Sequence, residues 1–109
     1  MISRAALLAC AALVIVPVPS QADDTYTTTI KDHVFSPAEI KVPANKRVMI
    51  TVVNEDATAE EFDSSALKVE KVVAGKSRGI VRIGPLPPGR YPFIGEYHEA
   101  TAKGVVIAE

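Results

Sequence analysis

Turn-forming residues interrupt this chain at short intervals and limit each structural element to a few residues. Between the interruptions, no apolar pattern with helical spacing extends beyond two turns, so long helices are excluded. The sequence therefore predicts a chain of short strands. The turn signals are Ser36-Pro37, Pro43-Ala44-Asn45, Asn54-Glu55-Asp56, Ala74-Gly75 and the proline-rich stretch from Gly84 to Gly89.

The segments between these turns have the composition of strands. Thr25 to Ile30 is rich in β-branched residues, which pleated backbone favours. Arg47 to Asn54 alternates, with Val48, Ile50 and Val52 on one face, as in a half-buried strand. Seven or eight short strands at this spacing predict an all-β, antiparallel sandwich. The other predicted strands are Glu39 to Val42, Glu60 to Asp63, Leu67 to Val73, Ser77 to Ile83, Arg90 to Tyr97 and Gly104 to Ala108. The predicted core contains Val48, Ile50, Val52, Ile80 and Phe93.

Residues 1–22 have the pattern of a secretory signal peptide. A single base, Arg4, precedes an apolar run from Ala5 to Val16, and Ser20-Gln21-Ala22 forms a small-x-small cleavage site. We therefore expect residues 23–109 to form one exported domain in the periplasm, with no membrane span in the mature chain.

Two other readings of this N-terminal segment remain open. One is a membrane anchor, although the apolar run before Pro17 is short for a bilayer. The other is lipid attachment at Cys10, because Leu7-Leu8-Ala9-Cys10 loosely resembles a lipobox. Both would tether the domain to a membrane instead of releasing it.

Composition excludes several classes of function. The formal net charge is −1 and no basic patch with interleaved aromatic residues occurs, so a nucleic-acid partner is not expected. Cys10 is the chain's one cysteine, so the predicted mature domain has neither a thiol nor a disulfide. No hydrolase or transferase motif is present.

The order of motifs along the chain resembles that of the cupredoxins, small Greek-key sandwiches that hold copper at one end. The resemblance is strongest to the periplasmic cupredoxin-like proteins of bacterial iron-uptake systems, including the cupredoxin domain of EfeO-type proteins. It covers roughly Thr25 to Ala108. The motifs are Phe35-x-Pro37, Ile40-x-Val42, a strand ending at Asn54, the corner Pro88-Gly89-Arg90-Tyr91, His98, and Lys103-Gly104-Val105-Val106.

The resemblance implies where metal ligands would stand. His98 occupies the place of the histidine in the C-terminal loop, and Ala102 the place of the weak axial methionine. No cysteine occurs between Tyr91 and His98. Because blue copper requires a thiolate ligand, a blue-copper electron-transfer centre is excluded.

Two adjacent carboxylates compete for the place of the other ligand. The first histidine of a blue-copper site would stand at Glu60, whereas the iron-uptake relatives carry an acidic residue before an aromatic one, as in Glu61-Phe62. On a strand the two side chains point to opposite faces, so they should not both ligate one ion. We favour Glu61 and keep Glu60 as the alternative. Both could also be charges that protect an edge strand from aggregation.

His33 is the second candidate nitrogen ligand. By the family topology it lies at the same end of the sandwich as His98, and these are the two histidines of the chain. The alternative is a solvated loop histidine. Imidazole and carboxylate donors suit copper(II) at a non-blue site, with iron as a second candidate.

Three functions follow as hypotheses. The first is a periplasmic metal-binding protein that supports iron uptake, by assisting Fe(II) oxidation as a ferroxidase-type accessory or by delivery to a membrane iron permease or another periplasmic iron-uptake protein. The second is a periplasmic copper chaperone, although Cu(I) sites are normally rich in Met and Cys. The third is a metal-free interaction module that keeps the fold as a scaffold.

Overall fold

The structure is a computed structural model that describes residues 24–109. The predicted signal peptide and the alternatives at Cys10 therefore lie outside the described residues. Within the described part, nine strands and one short 3-10 helix, Glu96–His98, follow one another. The strands are β1 (Asp24–Lys31), β2 (Val34–Ser36), β3 (Glu39–Val42), β4 (Val48–Asn54), β5 (Glu60–Ser64), β6 (Val69–Val73), β7 (Ser77–Ile83), β8 (Gly89–Gly95) and β9 (Lys103–Ala108).

The strands form two sheets with the orders β2-β1-β4-β7 and β3-β9-β8-β5-β6. Apolar residues from both sheets form one buried cluster between them, so the predicted all-β sandwich is confirmed. The prediction of an antiparallel sandwich does not hold for two pairs of strands, because β1 pairs with β4, and β3 with β9, in parallel.

Alternation along the strands explains which residues enter the core. In β4 the even-numbered residues from Val48 to Asn54 are buried and the residues between them are half-buried. The predicted core residues Val48, Ile50, Val52 and Phe93 are buried, but Ile80 is 45% exposed. In β7 the inward positions are those of Val81 and Ile83, and Ile80 points away from them.

Three phenylalanine rings fill the core behind one end of the sandwich. Phe62 and Phe93 stack with their ring centroids 4.6 Å apart, and Phe35 meets Phe93 edge-on at 5.0 Å. All three side chains are almost completely buried. The cluster joins β2, β5 and β8 in the core, because each of these strands supplies one of the rings. Among the described residues, no helix has the length and apolarity needed to cross a membrane.

Candidate metal centre

Glu60 is a buried carboxylate at the start of β5. Phe62 faces the core, and alternation places Glu60 on the same side, where it is 2% exposed. Its Oε1 accepts the backbone N–H groups of Glu61 at 3.1 Å and Tyr97 at 2.9 Å. Its Oε2 lies 2.5 Å from Nδ1 of His98. Burial of a carboxylate is costly unless it is hydrogen-bonded, and these three contacts meet that requirement.

Gly95, at the end of β8, makes room for this carboxylate. A Cβ atom at position 95 would lie 2.7 Å from Cδ of Glu60 and 2.7 Å from Cβ of Ala102. Both distances are far below an ordinary contact, so a side chain at this position would displace one of the two neighbours. The absence of a side chain at Gly95 therefore allows the Glu60 carboxylate to occupy its place in the site.

His98 ends the 3-10 helix that follows Gly95. Its carbonyl accepts the N–H groups of Thr101 at 3.1 Å and Ala102 at 2.9 Å, while the N–H of Gly95 donates to the carbonyl of Ala102 at 2.8 Å. The loop is thus closed on itself around His98. The His98 side chain is 26% exposed, against 3% for Glu60, so the pair opens to solvent on the histidine side.

His33 lies directly against His98. Its ring stacks on the His98 ring with centroids 3.4 Å apart and an angle of 13° between the planes. The expectation that the two histidines come together at one end of the sandwich is confirmed. His33 belongs to the two-residue turn between β1 and β2, in which Asp32 and His33 have φ values of 51° and 60°. Positive φ at both central residues is the geometry of a type I′ hairpin turn.

Glu61 points to the opposite face of β5 and does not join the histidines. Its carboxylate oxygens, with those of Asp63 and Glu70, form a group whose ligand atoms all lie within 4.8 Å of one another. The protonated carboxyl of Glu96 donates hydrogen bonds to the Glu61 and Asp63 carboxylates, and these bonds, together with the negative charge of both groups, raise the pKa of Glu96 to about 7. The structure therefore places Glu60, and not Glu61, beside His98, on which His33 stacks.

Asp56, in the loop between β4 and β5, contacts the His33 turn and was not a sequence candidate. Its carboxylate accepts the backbone N–H groups of Asp32 and His33. The N–H of His33 is the main cause that lowers the pKa of Asp56 below its ordinary value, and the N–H of Asp32 adds to it against the opposing effect of burial. No local pattern points to this contact, because the two segments are more than twenty residues apart in sequence.

The donor atoms fit a nitrogen–oxygen metal site with two ligands already adjacent. A carboxylate oxygen and an imidazole nitrogen are accepted by divalent copper, zinc and iron. Residues 24–109 contain no cysteine, so they do not fit a blue-copper site. Ring lone pairs lie in the ring plane, and two imidazoles stacked face to face cannot both direct them at one ion. His33 must therefore turn its ring before it can act as a third ligand.

The fold and this end of the molecule define a small two-sheet sandwich with an imidazole–carboxylate pair at one end. A family model for the Cupredoxin-like domain matches residues 4–108. The chain belongs to this family.

One relative in sequence is an uncharacterized protein of Rickettsia prowazekii (strain Madrid E). It is 39% identical over 79 residues, which cover 72% of this chain and 63% of that protein. The chain thus spans somewhat less than two thirds of the length of this relative.

Several solved structures are similar in fold at low sequence identity. The metal-binding domain of the Cu(I)-exporting P-type ATPase CopA of Streptococcus pneumoniae, solved with Cu(I), has a TM-score of 0.66 at 15% identity, over 78% of this chain and 84% of that one. An oxidized mutant of amicyanin gives 0.63 at 17% identity, over 83% and 87%. Auracyanin B gives 0.64 at 18% identity, over 79% and 88%. At these identities the likeness shows the shared fold.

Proposed function

We propose that this protein binds one divalent copper ion between Glu60 and His98, with His33 as the third ligand. The observation that carries the proposal is the 2.5 Å contact between Oε2 of Glu60 and Nδ1 of His98 at the end of a cupredoxin-like sandwich. One hydrogen bond joins these atoms. To ligate an ion with bonds of about 2 Å each, the pair would have to lose the shared proton and the two atoms would have to move apart.

The donor set favours copper(II), with iron as the second candidate. For a given site of nitrogen and oxygen ligands, divalent affinity rises towards copper along the first-row series. Carboxylate oxygen is a hard ligand, which suits oxidised metal ions better than Cu(I). Blue-copper electron transfer is not proposed, since no thiolate is within the domain.

We further propose that the domain works in the periplasm in support of iron uptake. The signal-peptide pattern of residues 1–22 supports export, and the motif resemblance to the cupredoxin-like proteins of iron-uptake systems supports the role. Bound Cu(II) would accept one electron from Fe(II), giving Fe(III) and Cu(I), beside a membrane iron permease or another periplasmic iron-uptake protein. An external electron acceptor would then return Cu(I) to Cu(II). Glu60, His98 and His33 would hold the ion, and the loop around His98 would leave one side open to solvent.

Copper transfer in the periplasm is the second candidate. One observation favours it: the similar metal-binding domain of the Streptococcus pneumoniae exporter was solved with Cu(I). Against it, Met49 is the one sulfur-containing residue among residues 24–109. Met49 lies in β4, on the face opposite the buried Val48 and Ile50. Soft Cu(I) would find no sulfur ligand beside Glu60 and His98.

Metal titration of the mature chain tests the proposal. Residues 23–109 are titrated with Cu(II), Zn(II), Fe(II) and Cu(I) under controlled redox conditions, and the Cu(II) form is examined by optical and electron paramagnetic resonance spectroscopy. We expect a pale 1:1 Cu(II) complex with a nitrogen–oxygen spectrum and no intense thiolate band. An absence of binding would make the metal-free interaction module the leading interpretation, and tighter binding of Cu(I) than of Cu(II) would favour the chaperone.

Two further measurements test export to the periplasm and the role in iron uptake. Mass spectrometry of periplasmic protein should show a mature N-terminus within a residue or two of Asp23, whereas a lipid on Cys10 or a retained N-terminal segment would contradict export as a free domain. A deletion strain should take up radioactive iron more slowly under iron limitation. Normal iron uptake together with copper sensitivity would favour the copper-transfer role.

A further inference from the structure

The backbone of His33 is held on one side by Asp56. The Asp56 carboxylate accepts the N–H of Asp32 on Oδ1 at 2.7 Å and the N–H of His33 on Oδ2 at 3.0 Å. Both oxygens are thus used on the two central residues of the same turn. Neither residue is glycine, and non-glycine residues with positive φ are uncommon. The carboxylate therefore accepts from both N–H groups while the turn has this uncommon positive-φ conformation.

Asp56 is itself fixed to the sandwich. Its own N–H donates to Oδ1 of Asn54 at 3.0 Å, and its carbonyl accepts the N–H of Lys76 at 2.8 Å. Asn54 is buried, and its amide donates to the carbonyl of Val73 at 3.1 Å. The carboxylate that holds the His33 turn is consequently anchored to strands of both sheets.

Thr101 holds His33 from the other side. Its hydroxyl donates to the carbonyl of His33 at 2.6 Å, across 68 positions of sequence. Thr101 lies in the same closed loop as His98, whose carbonyl accepts the Thr101 N–H. The hydroxyl therefore ties the His33 turn directly to the His98 loop, at the place where the two rings stack.

We propose that Asp56 and Thr101 are positioning residues that hold the His33 backbone so that its imidazole lies against His98. Asp56 accepts hydrogen bonds from the N–H groups of the turn, and Thr101 donates one to the carbonyl of His33. The backbone of His33 is therefore fixed, and only its side-chain torsions remain free to change. The ring can then turn from the stack towards a metal ion without movement of the turn. This inference rests on the proposed function for its metal-binding consequence, but the positioning itself exists in the metal-free protein.

The test uses single substitutions with matched controls in residues 23–109. Asp56→Ala removes both acceptors, and Thr101→Val removes the hydroxyl while it keeps the shape of the side chain. Thr101→Ser restores the hydroxyl. Glu55→Ala removes the neighbouring exposed carboxylate, which does not hydrogen-bond to the backbone of the turn. Urea unfolding of every variant confirms that it is folded before the other measurements.

The first readout is nuclear magnetic resonance of the metal-free protein. The stacked His98 ring shifts the His33 ring protons, and we expect these resonances to move towards free-histidine positions in Asp56→Ala and Thr101→Val. Thr101→Ser and Glu55→Ala should keep the wild-type shifts. Unchanged His33 resonances in both Asp56→Ala and Thr101→Val would overturn the proposal, whether or not the protein binds copper.

The second readout is Cu(II) affinity in a double-mutant cycle with His33→Ala. Loss of a residue that orients a ligand typically weakens binding about 10- to 100-fold, and we expect the lower end of this range for Asp56→Ala. In the His33→Ala background the same substitution should have almost no further effect, because its action passes through His33. An equal loss of affinity in both backgrounds would show that Asp56 acts by another route and would overturn the proposal. If the wild type binds no Cu(II), the proposed function fails, and the resonance shifts alone decide the positioning.

Discussion

Glu60 and His98 meet at 2.5 Å across 38 positions of sequence, and the carboxylate is buried while the imidazole reaches solvent. Glu60 is supplied by β5, and His98 by the loop that follows β8. The pairing of these strands brings the two together, since Phe62 lies opposite Gly95 in the sheet. A change at either residue therefore tests the same site from a different element.

Loss of His98 should weaken Cu(II) binding at least as strongly as loss of His33. His98→Ala removes one of two nitrogen ligands, and His33 cannot replace it because it already ligates in the proposed site. The loss should reach about two decades in affinity, or about 2.7 kcal/mol. His33→Ala should weaken binding by a similar amount if its ring turns to ligate, and by less if it only covers His98. Calorimetric titration measures all three proteins. Wild-type affinity in His98→Ala would show that copper is not bound at this end of the sandwich.

Glu60→Gln compared with Glu61→Gln decides which carboxylate ligates. Each substitution removes one negative charge and keeps the size of the side chain, and the two positions are adjacent on β5. Because Glu60 contacts His98 and Glu61 faces the Asp63–Glu70 side, only Glu60→Gln should weaken Cu(II) binding, by about tenfold or more. Calorimetry on both variants measures this. The reverse result would return the ligand assignment to Glu61, as the motif resemblance alone had favoured.

The sequence predicts the strands and their inward faces because alternation of apolar and polar residues is a local property. Val48, Ile50 and Val52 fix the orientation of β4, and all three are buried as predicted. The same rule could have placed Glu60 inward, because Phe62 is the natural core residue of β5 and Glu60 shares its parity. In β7 the apolar residues Ile80 and Val81 are adjacent, but Ile83 shares the parity of Val81. Alternation therefore favours Val81 as the inward residue, and the structure buries it.

Other features depend on contacts that no local pattern contains. β2 has three residues, too few for alternation to define a strand. The parallel pairing of β1 with β4 joins segments whose order in the sheet is set by the whole fold. The hydrogen bond from the N–H of His33 to the Asp56 carboxylate spans 23 positions of sequence and depends on the path of the β4–β5 loop. These relationships need tertiary structure.

Asp56 should contribute to stability in a pH-dependent way. The N–H of His33 and the N–H of Asp32 lower its pKa in the folded chain relative to the unfolded chain. A lowered pKa means that the unfolded state takes up the proton first as pH falls. The stabilising contribution is therefore complete above the pKa of the unfolded state, about 3.9 for an ordinary aspartate. It is lost as pH falls through the pKa of the folded state. Asp56→Asn should therefore lower the free energy of unfolding near neutral pH. The difference in this free energy between Asp56→Asn and wild type should become smaller in acid.

Urea unfolding of wild type and Asp56→Asn between neutral and strongly acidic pH measures this difference. Glu55→Gln is the control for a change of charge in the same loop. A constant difference between wild type and Asp56→Asn across the whole range would contradict the assigned role of the Asp56 charge.

Gly95→Ala should damage the site through lack of space. Gly95 has φ −93° and ψ 103°, which alanine adopts freely, so backbone conformation is not the obstacle. The added Cβ would instead meet Cδ of Glu60 and Cβ of Ala102, each at 2.7 Å. Insertion of a methyl group into such a packed position typically costs about 1–3 kcal/mol, and displacement of the Glu60 carboxylate should also weaken Cu(II) binding.

Gly89→Ala is the matched control, because it lies on the same strand and its Cβ would meet atoms of Tyr91 at 3.6 Å or more, an ordinary contact. Urea unfolding and Cu(II) titration of both variants measure the two effects. If Gly95→Ala behaved like Gly89→Ala in both experiments, the close packing of Gly95 against Glu60 would not be what holds the carboxylate beside His98.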